Sequence, residues 1–461
     1  MSSCCDMRTE LSGKSVLVVG MARSGLGAVE FLARQGAVVV VSDNRPAEAL
    51  GPEIQLLKES RIDWEAGGHT DKVFSKAELI VVSPGVPLTL PVLQSAREAG
   101  IEIISEIELA SRYLEGKIIA ITGTNGKTTT TTLVGEILKT AGFPVLVGGN
   151  IGTPLISLVE SSTPQTWSVV EVSSFQLEAV PSFRPHIAVI LNLTPDHLDR
   201  YASFEAYAEA KFQVFRNQTE SDFAVLNQED PNLRRVADRL RSPVLWFSAS
   251  REVTRGAYFD GSHIVLKSPD RSESIVARGE VPLKGSHNIE NVAAAMVVAH
   301  LAGVAPAGIA DGIGNFKAVE HRLEPVAEFR GVHFFNDSKA TNVDATIKAL
   351  EAFDSGVILI LGGRDKGGNF RVLSPLIRQR VRSLVLLGEA SSTIRSQLTG
   401  TAPMLQAGNM KDAVRLSFQQ AKSGDTVLLA PACASFDMFQ NYEHRGRAFK
   451  IAVRDLIQGR E

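Results

Sequence analysis

The sequence predicts an α/β protein of three domains, in which mostly parallel sheets are covered by helices. Short apolar, β-branched runs alternate with longer helical patterns along almost the whole chain. These runs are continuous rather than alternating, which is typical of strands covered on both faces. The chain has 461 residues, and at roughly 150 residues per domain this length corresponds to about three domains.

Composition narrows the class of protein. Apolar residues make up 44% of the chain and charged residues 21%, which is ordinary for a folded globular protein and excludes disordered and collagen-like chains. Lys and Arg number 48 against 51 Asp and Glu, a net charge of −3. Because that balance lacks the general basic footprint of a nucleic-acid binder, no nucleic-acid partner is expected.

Cysteine usage and the absence of targeting signals indicate a compartment. Cys4, Cys5 and Cys433 allow neither a disulfide framework nor a zinc spacing. The first ten residues resemble no signal peptide, and no apolar run reaches the roughly 18 residues of a membrane span. We therefore expect a cytoplasmic protein without a membrane span.

The apolar runs predict strands in chain order. Nine are predicted, at residues 16–19, 38–41, 79–82, 118–122, 168–171, 187–192, 357–361, 384–387 and 427–430. Between residues 248 and 281 the pattern favours hairpins. A helix is predicted over 203–215, with Lys211 on its apolar side. From spacing alone, the plain interpretation of Lys211 is a lysine whose stem is buried and whose charge reaches solvent.

Fresh strand–glycine–helix units mark the domains. They begin at Lys14 and Lys117, and a third set of strands begins near Val332. The predicted domains are 1–105, 106–318 and 319–461. We expect a Rossmann-like N-terminal domain, a central P-loop domain with a mostly parallel sheet and a small β-region, and a Rossmann-like C-terminal domain.

The clearest chemical signal lies between a strand and a helix. It comprises Gly123, Thr124, Asn125, Gly126, Lys127, Thr128 and Thr129. Glycines let backbone N–H groups converge on phosphate, Lys127 would reach the β and γ phosphates, and Thr128 would hold Mg²⁺. Ile121 stands where the strict pattern has Gly, so this is a variant phosphate loop. The alternative is a glycine-rich turn that contains a lysine, and the strand–loop–helix context argues against it.

A metal site is predicted beside this loop. Glu171 ends the next strand, where an acid is placed to hold Mg²⁺. Asp196, His197 and Asp199 follow another strand, at the sheet edge where α/β proteins bind ligands. By itself His197 is equally compatible with a surface or capping histidine.

The first glycine turn supports two interpretations. Gly20 and Gly25 match a dinucleotide fingerprint, but Ala22 replaces its middle glycine. Asp43 lies where a ribose-binding acid is expected. An NAD-dependent oxidoreductase would use this turn, and so would a protein that binds a non-redox diphosphate. The loop 83–87 is either a second wall of that pocket or an ordinary rigid turn.

Three polar loops follow strands near the C-terminus, at 336–342, 362–368 and 431–437. The cations Lys339, Arg364 and Lys366 with the hydroxyls of Thr341 and Ser435 suit a small carboxylate-bearing substrate. The alternative is three helix-start turns with solvated charges, in which Asn342 or Thr341 acts as an N-cap. Cys433 is interpreted as a small buried residue rather than a nucleophile.

Together these motifs resemble the Mur ligases, ATP-dependent amide-forming enzymes of peptidoglycan precursor synthesis. The resemblance covers essentially the whole chain. It rests on GTNGKTT, EVSSFQLE, NLTPDHLDRY, GSHNIENVAAA and EHRLE in the family's order. Within the family, GMARSGLG, SDNRP, SPGVP, NDSKATN and PACASFDMFQNYEHRG are most similar to the branch that adds D-glutamate.

The resemblance implies a role for particular residues. ATP would be held by Lys127 and its loop with Asn288, Asn291, Arg322 and Asp337. Two Mg²⁺ ions would be held by Thr128, Glu171, His197 and a carbamylated Lys211. The UDP-sugar would be lined by Ser24, Asp43, Arg45, Gly85 and Asn150. D-glutamate would contact Thr341, Lys366, Ser435, Phe436 and Tyr442.

The implied activity is the joining of D-glutamate to UDP-N-acetylmuramoyl-L-alanine at the expense of ATP. It would proceed through an acyl phosphate, in a monomer, and would serve cell-wall biogenesis, cell shape and cell division. The implied alternative is another amide ligase of the same type, such as folylpolyglutamate synthetase. Two further classes are a motor or transport ATPase, which would hydrolyse ATP without small substrates, and a non-catalytic UDP-sugar sensor, which would release no ADP.

Overall fold

The computed structural model describes residues 10–198, 200–283, 285–317, 320–365 and 367–459. Its strands form three sheets of five, nine and six strands. The three-domain α/β class predicted from the sequence is confirmed.

The first sheet has the order β3-β2-β1-β4-β5 and is wholly parallel. Its strands are β1 Ser15–Val19, β2 Val38–Asp43, β3 Asp63–Ala66, β4 Leu79–Val82 and β5 Glu102–Ser105. The accompanying helices are α1 Arg23–Arg34, α2 Gly51–Glu59, α3 Asp71–Phe74, α4 Pro91–Glu98 and α5 Glu106–Tyr113. Strand β1 is central, so the turn after it lies at the middle of the sheet's carboxyl edge.

The second sheet has the order β14-β13-β12-β11-β10-β9-β6-β8-β7. Its strands are β6 Lys117–Thr122, β7 Val145–Gly149, β8 Trp167–Glu171, β9 Ile187–Ile190, β10 Phe223–Asn227, β11 Val244–Ser248, β12 Gly256–Phe259, β13 His263–Ser268 and β14 Arg271–Ala277. Its helices are α6 Lys127–Thr140, α7 Ser174–Leu177, α8 Phe204–Phe212, α9 Pro231–Ala237, α10 Ser286–Leu301 and α11 Pro306–Gly314. Strands β12 to β14 pair antiparallel, which confirms the predicted hairpins.

The third sheet has the order β15-β16-β20-β17-β18-β19, and only its β15–β16 pair is antiparallel. Its strands are β15 Glu324–Phe329, β16 Val332–Asn336, β17 Val357–Leu361, β18 Val381–Leu386, β19 Met404–Gln406 and β20 Thr426–Leu429. Its helices are α12 Val343–Glu351, α13 Ser374–Arg380, α14 Ser391–Gln397, α15 Met410–Gln420 and α16 Tyr442–Ile457.

All nine predicted strands are present, with ends that differ by a few residues. The strand predicted to reach 192 ends at Ile190. Just beyond it Asn192 accepts hydrogen bonds from a neighbouring loop, its Oδ1 from the Asn125 amide at 2.8 Å and its carbonyl from the Thr124 amide at 2.9 Å. Strand β15 was not anticipated, since it is a half-exposed edge strand in a polar stretch. The helix predicted over 203–215 ends at Phe212 and continues as a 3₁₀ turn to Phe215.

Burial explains why the continuous apolar runs were reliable. Strands β9 and β17 are buried at every position, as is β6 beyond its first residue. Strands shielded on both faces are therefore mostly apolar, and β9 and β17 contain apolar residues only. The domain borders near 105 and 318 stay predictions; they fall between the sheets, and residue 318 is not among the described residues. Within the described part of the chain, no helix combines the length and apolarity that a membrane crossing requires.

Candidate active site

The phosphate loop lies between the central strand β6 and helix α6. Gly126 has φ +84° and caps α6 in the left-handed region that glycine favours. The Lys127 Nζ donates to the carbonyls of Gly123 at 2.9 Å and Thr124 at 2.7 Å. The loop therefore carries a cation at its centre and a helix N-terminus at its end, which together suit an anion.

Gly126→Ala is expected to weaken ATP binding about 10-fold or more, about 1.4 kcal/mol. A Cβ at this position would run into the Asn291 side chain and lie 3.2 Å from Leu191 Cδ1. The loop must therefore shift. Gly142→Ala is the matched control, because Gly142 also has positive φ, +83°, but its Cβ would meet nothing within 4 Å. Titration calorimetry with ATP checks both variants, and equal losses of affinity would contradict the steric explanation.

Glu171 lies beside the loop, at the end of strand β8, which pairs with β6. Its Oε2 accepts from the Thr128 hydroxyl at 2.8 Å, and its Oε1 accepts from Asn150 Nδ2 at 2.7 Å. The residue is 1% exposed. Burial and two donors hold the carboxylate in one orientation next to the phosphate loop.

Lys211 on helix α8 reaches the same place from the side. Its Nζ lies 3.5 Å from Thr122 Oγ1 and 4.7 Å from the Tyr207 ring centroid. The plain interpretation from spacing, a lysine whose charge reaches solvent, is wrong, since Lys211 is 2% exposed. Burial, with Lys127 nearby, holds the pKa of the Lys211 amine well below its usual value.

His197 completes this side of the site. Its backbone has φ +54°, and its ring packs edge-on against Phe175 at 4.8 Å between centroids. Its amide donates to Asp196 Oδ1 at 2.9 Å. Asp199, predicted with this group, lies outside the described residues. Glu171, Lys211, Asp196 and His197 thus line one wall of a common cavity.

That cavity has a volume of about 600 Å³, within the range of about 300–1,000 Å³ that is usual for small-molecule sites. Residues of the second and third sheets line it together. Asn125 Nδ2 donates to Asp344 Oδ2 at 2.6 Å, and Asn342 Nδ2 donates to Asp196 Oδ2 at 3.1 Å. The cavity thus joins the phosphate loop to the loop that precedes α12.

Predicted ATP residues meet in this cavity. Its lining includes Thr124, Asn125, Gly126, Lys127, Thr128, Thr129, Asn288, Asn291, Arg322 and Asp337. Asn291 Nδ2 donates to Asn288 Oδ1 at 3.0 Å, and Asn291 Oδ1 accepts from Thr130 at 3.3 Å. Gly123 shapes the loop without being part of that lining.

Charges from the third sheet face the cavity. Burial raises the pKa of Asp337 to about 6 and lowers the pKa of Lys339 to about 8. The Lys339 ammonium lies 3.8 Å from the Tyr442 ring centroid. Arg322 Nε is buried and has no hydrogen-bond partner among the described residues. Lys339 and Arg322 are thus cationic groups in the same cavity as the phosphate loop. Cations shielded from water in this way would stabilise an anionic ligand.

The residues predicted for D-glutamate separate into groups. Thr341 and Phe436 line the cavity, and Phe436 is 63% exposed. Ser435 is buried at 2%, and Tyr442 covers Lys339. Lys366 lies outside the described residues.

Two other residues of these loops have local roles. Arg364 pairs with Glu389 at 3.4 Å on the exposed surface. Asn342 is an N-cap as the alternative proposed, because its Oδ1 accepts from the Ala345 amide at 2.8 Å. Its side-chain amide nitrogen also donates to Asp196. Asn342 therefore caps α12 and at the same time links that helix to the cavity wall that contains Asp196.

The N-terminal turn is a separate site. Asp43 Oδ2 accepts from the Met21 amide at 2.7 Å, and Arg45 donates to both Asp43 oxygens. Each oxygen therefore has two donors, which is unlike an acid open to a ribose. Arg45 hydrogen bonding lowers the pKa of Asp43 against the opposing effect of burial. This arrangement disfavours the NAD interpretation.

The other predicted UDP-sugar residues are divided. The Ser83 hydroxyl donates to the Gly20 carbonyl at 3.1 Å, so the 83–87 loop does wall the turn. Ser24 lies at the start of α1 and Gly85 in that loop. Asn150, by contrast, lies in the cavity with Glu171.

Several cavity residues were missed by sequence reasoning. They include Tyr207, His287, Glu290, Asp344 and Lys348. Burial lowers the pKa of His287 to about 4 and raises the pKa of Glu290 to about 7. Both lie in the GSHNIEN segment, so that segment could have indicated them. Tyr207 was interpreted as one of the apolar residues that pack its helix, so its place in the cavity was not expected.

Comparison with known proteins defines the class. Three family models match, described as the Mur ligase MurD-like N-terminal domain at 14–105, the Mur ligase middle domain at 121–299 and the Mur ligase glutamate ligase domain at 321–433. The chain therefore belongs to the Mur ligase family, and the predicted class of ATP-dependent amide-forming ligase is confirmed.

Two similar proteins within the family share one name, and a solved structure of the same fold carries another. A UDP-N-acetylmuramoylalanine--D-glutamate ligase from Acidobacterium capsulatum is 53% identical over 96% of this chain and 97% of its own length. Another from Koribacter versatilis is 50% identical over 97% and 99%. A MurF ligase from Thermotoga maritima, solved in complex with ADP, has a TM-score of 0.61 at 16% identity over 98% and 97% of the two chains. This last likeness concerns the fold alone.

Proposed function

We propose that this protein joins D-glutamate to UDP-N-acetylmuramoyl-L-alanine, with ATP converted to ADP and phosphate through an acyl phosphate. The observation that carries the proposal is the shared cavity, in which the phosphate loop and the 336–342 loop face each other. The names of the similar ligases support the choice of substrates. No observation favours the folate alternative.

The donor set suits Mg²⁺. Magnesium prefers oxygen ligands, and the Thr128 hydroxyl, the Glu171 carboxylate and Asp196 present oxygens around the phosphate loop. Thr128 and Glu171 would hold one ion, and His197 with Lys211 the other. Such ions would neutralise charge on the phosphates. The protein's own part is to orient Glu171, which it does through Thr128 and Asn150.

Carbamylation of Lys211 would make that residue a suitable ligand. The amine would add to CO₂ and lose one proton, which leaves an anionic carbamate with two oxygens. The position supports this change, because a buried amine beside Lys127 gains little from being an ammonium. A carbamate would also place a negative charge near Lys127, and with Asp196 and Glu171 it would form an anionic group suited to a divalent cation.

The L-alanyl carboxylate must be activated before it can form an amide, because the oxide ion that it would have to expel is a poor leaving group. The L-alanyl carboxylate would attack the γ-phosphorus, ADP would leave, and an acyl phosphate would form. The D-glutamate amine would then attack the acyl carbon, and phosphate would leave as the amide forms and the amine loses a proton. The first step brings two anions together, so Lys127 and Lys339 would contribute by offsetting that repulsion.

Each predicted domain would have one task. The turn with Ser24, Arg45 and Gly85 would hold the UDP-sugar, and Asn150 would contact the substrate where it enters the cavity. Thr341 and Lys366, with Ser435 and the flanking Phe436 and Tyr442, would hold D-glutamate. With ATP held by the phosphate loop of the central domain, a single chain supplies all three tasks, which supports a monomer. ATP and UDP-linked precursors are cytoplasmic metabolites, which supports that location.

The test is phosphate release with ATP, UDP-N-acetylmuramoyl-L-alanine and a panel of amino acids. We expect phosphate and amide product with D-glutamate only. Signal with L-glutamate and a folate would replace the proposal with its alternative. Binding of the UDP-sugar without ADP formation would indicate a sensor, and an NADH fluorescence signal would revive the oxidoreductase interpretation.

A further inference from the structure

Arg200 connects the first two predicted domains, residues 1–105 and 106–318. Its guanidinium donates to three successive carbonyls of the 83–87 loop: Pro84 at 3.3 Å, Gly85 at 3.4 Å and Val86 at 3.2 Å. It also donates to Glu178 Oε2 at 3.1 Å. Three acceptors belong to the first domain and one to the second, so a single side chain spans their boundary.

The same side chain is held on the cavity side. Its guanidinium lies 4.3 Å from the Phe175 ring centroid, and Phe175 packs against both His197 and Tyr201. The Arg200 amide donates to the His197 carbonyl at 2.9 Å. The turn that presents His197 to the cavity is thereby attached to Arg200 through both backbone and side chain.

The loop that Arg200 holds is attached in turn to the glycine turn. Ser83 bonds the Gly20 carbonyl, and a Cβ at Gly25 would meet both that carbonyl and Ser83 Oγ. The path from the N-terminal turn to His197 therefore runs through close contacts only. These contacts would fix how far a substrate bound at that turn extends into the cavity.

We infer that Arg200 is a positioning residue, which seats the 83–87 loop against the His197 turn and so aligns the UDP-linked carboxylate with the ATP γ-phosphate. The inference rests on the proposed function. Arginine suits this task because its planar fork can meet several carbonyls at once, whereas lysine offers a single point charge. Small misplacements of a reacting group are costly in rate.

Arg200→Gln is the test, with Arg200→Lys as the conservative variant. For Arg200→Gln we expect kcat to fall about 10- to 100-fold with the KM for ATP unchanged. Phosphate release per amide formed should rise, because a misplaced acyl phosphate is open to water. Arg200→Lys should be intermediate, since it keeps the Glu178 pair and loses the fork.

Arg184→Gln is the matched control. Arg184 also donates to several groups, Asp222 at 2.7 Å, Thr219 at 2.7 Å and Ser221 at 2.9 Å, but all lie within the central domain. It should leave the ratio of phosphate to amide unchanged. The inference is overturned if Arg200→Gln keeps the wild-type ratio, or if Arg184→Gln raises it equally.

A second measurement separates this inference from the proposed function. Hydrogen exchange of the backbone amides in residues 83–90, of which Pro84 and Pro87 have none, should be faster in Arg200→Gln than in wild type and Arg184→Gln. If wild type forms no amide product, the proposed function fails, and the exchange result alone then decides whether Arg200 seats the loop. Unchanged exchange would overturn the inference.

Discussion

Lys127→Ala is expected to lower kcat for ADP formation at least about 10³-fold, a loss of about 4 kcal/mol of transition-state stabilisation. The ammonium lies at the centre of the phosphate loop, 2.9 Å and 2.7 Å from two loop carbonyls. In the proposed reaction a carboxylate attacks a phosphoryl group that is already anionic. Removal of this cation leaves that repulsion less compensated at the moment when charge moves.

The measurement for Lys127→Ala is a coupled ADP assay at saturating ATP, with a thermal melt to verify folding. Lys139→Ala is the matched control, because Lys139 lies in the last turn of the same helix and is exposed. It should behave as wild type. A Lys127→Ala enzyme that retains most of its turnover, or a similar loss in Lys139→Ala, would refute the phosphate-loop assignment.

Lys211→Ala is expected to lower kcat about 10²-fold and to recover in part when acetate or formate is added. The side chain is buried beside the phosphate loop, so its truncation leaves a space that a small carboxylate can enter. If the working group is a carbamate, the added carboxylate replaces its charge and its oxygens. An ammonium role predicts no such recovery, because a carboxylate has the opposite charge.

Two controls make the Lys211 experiment specific. Lys127→Ala loses a lysine from the same cavity and should gain nothing from acetate, because its work is that of a cation. Chloride at equal ionic strength should not restore Lys211→Ala. Full activity of Lys211→Ala without additives, or equal rescue by chloride, would contradict the carbamate.

Local sequence signals predicted those parts of the molecule that depend on local chemistry. Strand β17 was predicted from its first residue to its last, because it is covered on both faces and all five of its residues are apolar. The phosphate loop was also predictable, because all of its parts are local in the sequence. Its glycines, its lysine and the helix that follows are adjacent in the chain, and Gly126 shows the positive φ that such a loop needs.

Environment was harder to predict than position. Lys211 on an apolar helix side is consistent with a solvent-reaching lysine, yet packing of α8 against the sheet buries it. Asp43 lies where a ribose acid is expected, but Arg45 two residues later occupies both of its oxygens. In both cases the role of the residue depends on which neighbours its side chain contacts. Residue spacing does not specify the direction in which a side chain points.

The sequence by itself determined the fold class, the phosphate loop and the family, because each is carried by residues close together in the chain or by motifs in a fixed order. Only the tertiary structure decided which loops share a cavity. Asn125 and Asp344 are 219 positions apart and meet at 2.6 Å, and Arg200 meets Gly85 across 115 positions. Such pairings depend on how separately folded sheets pack against one another, and no local pattern encodes that packing.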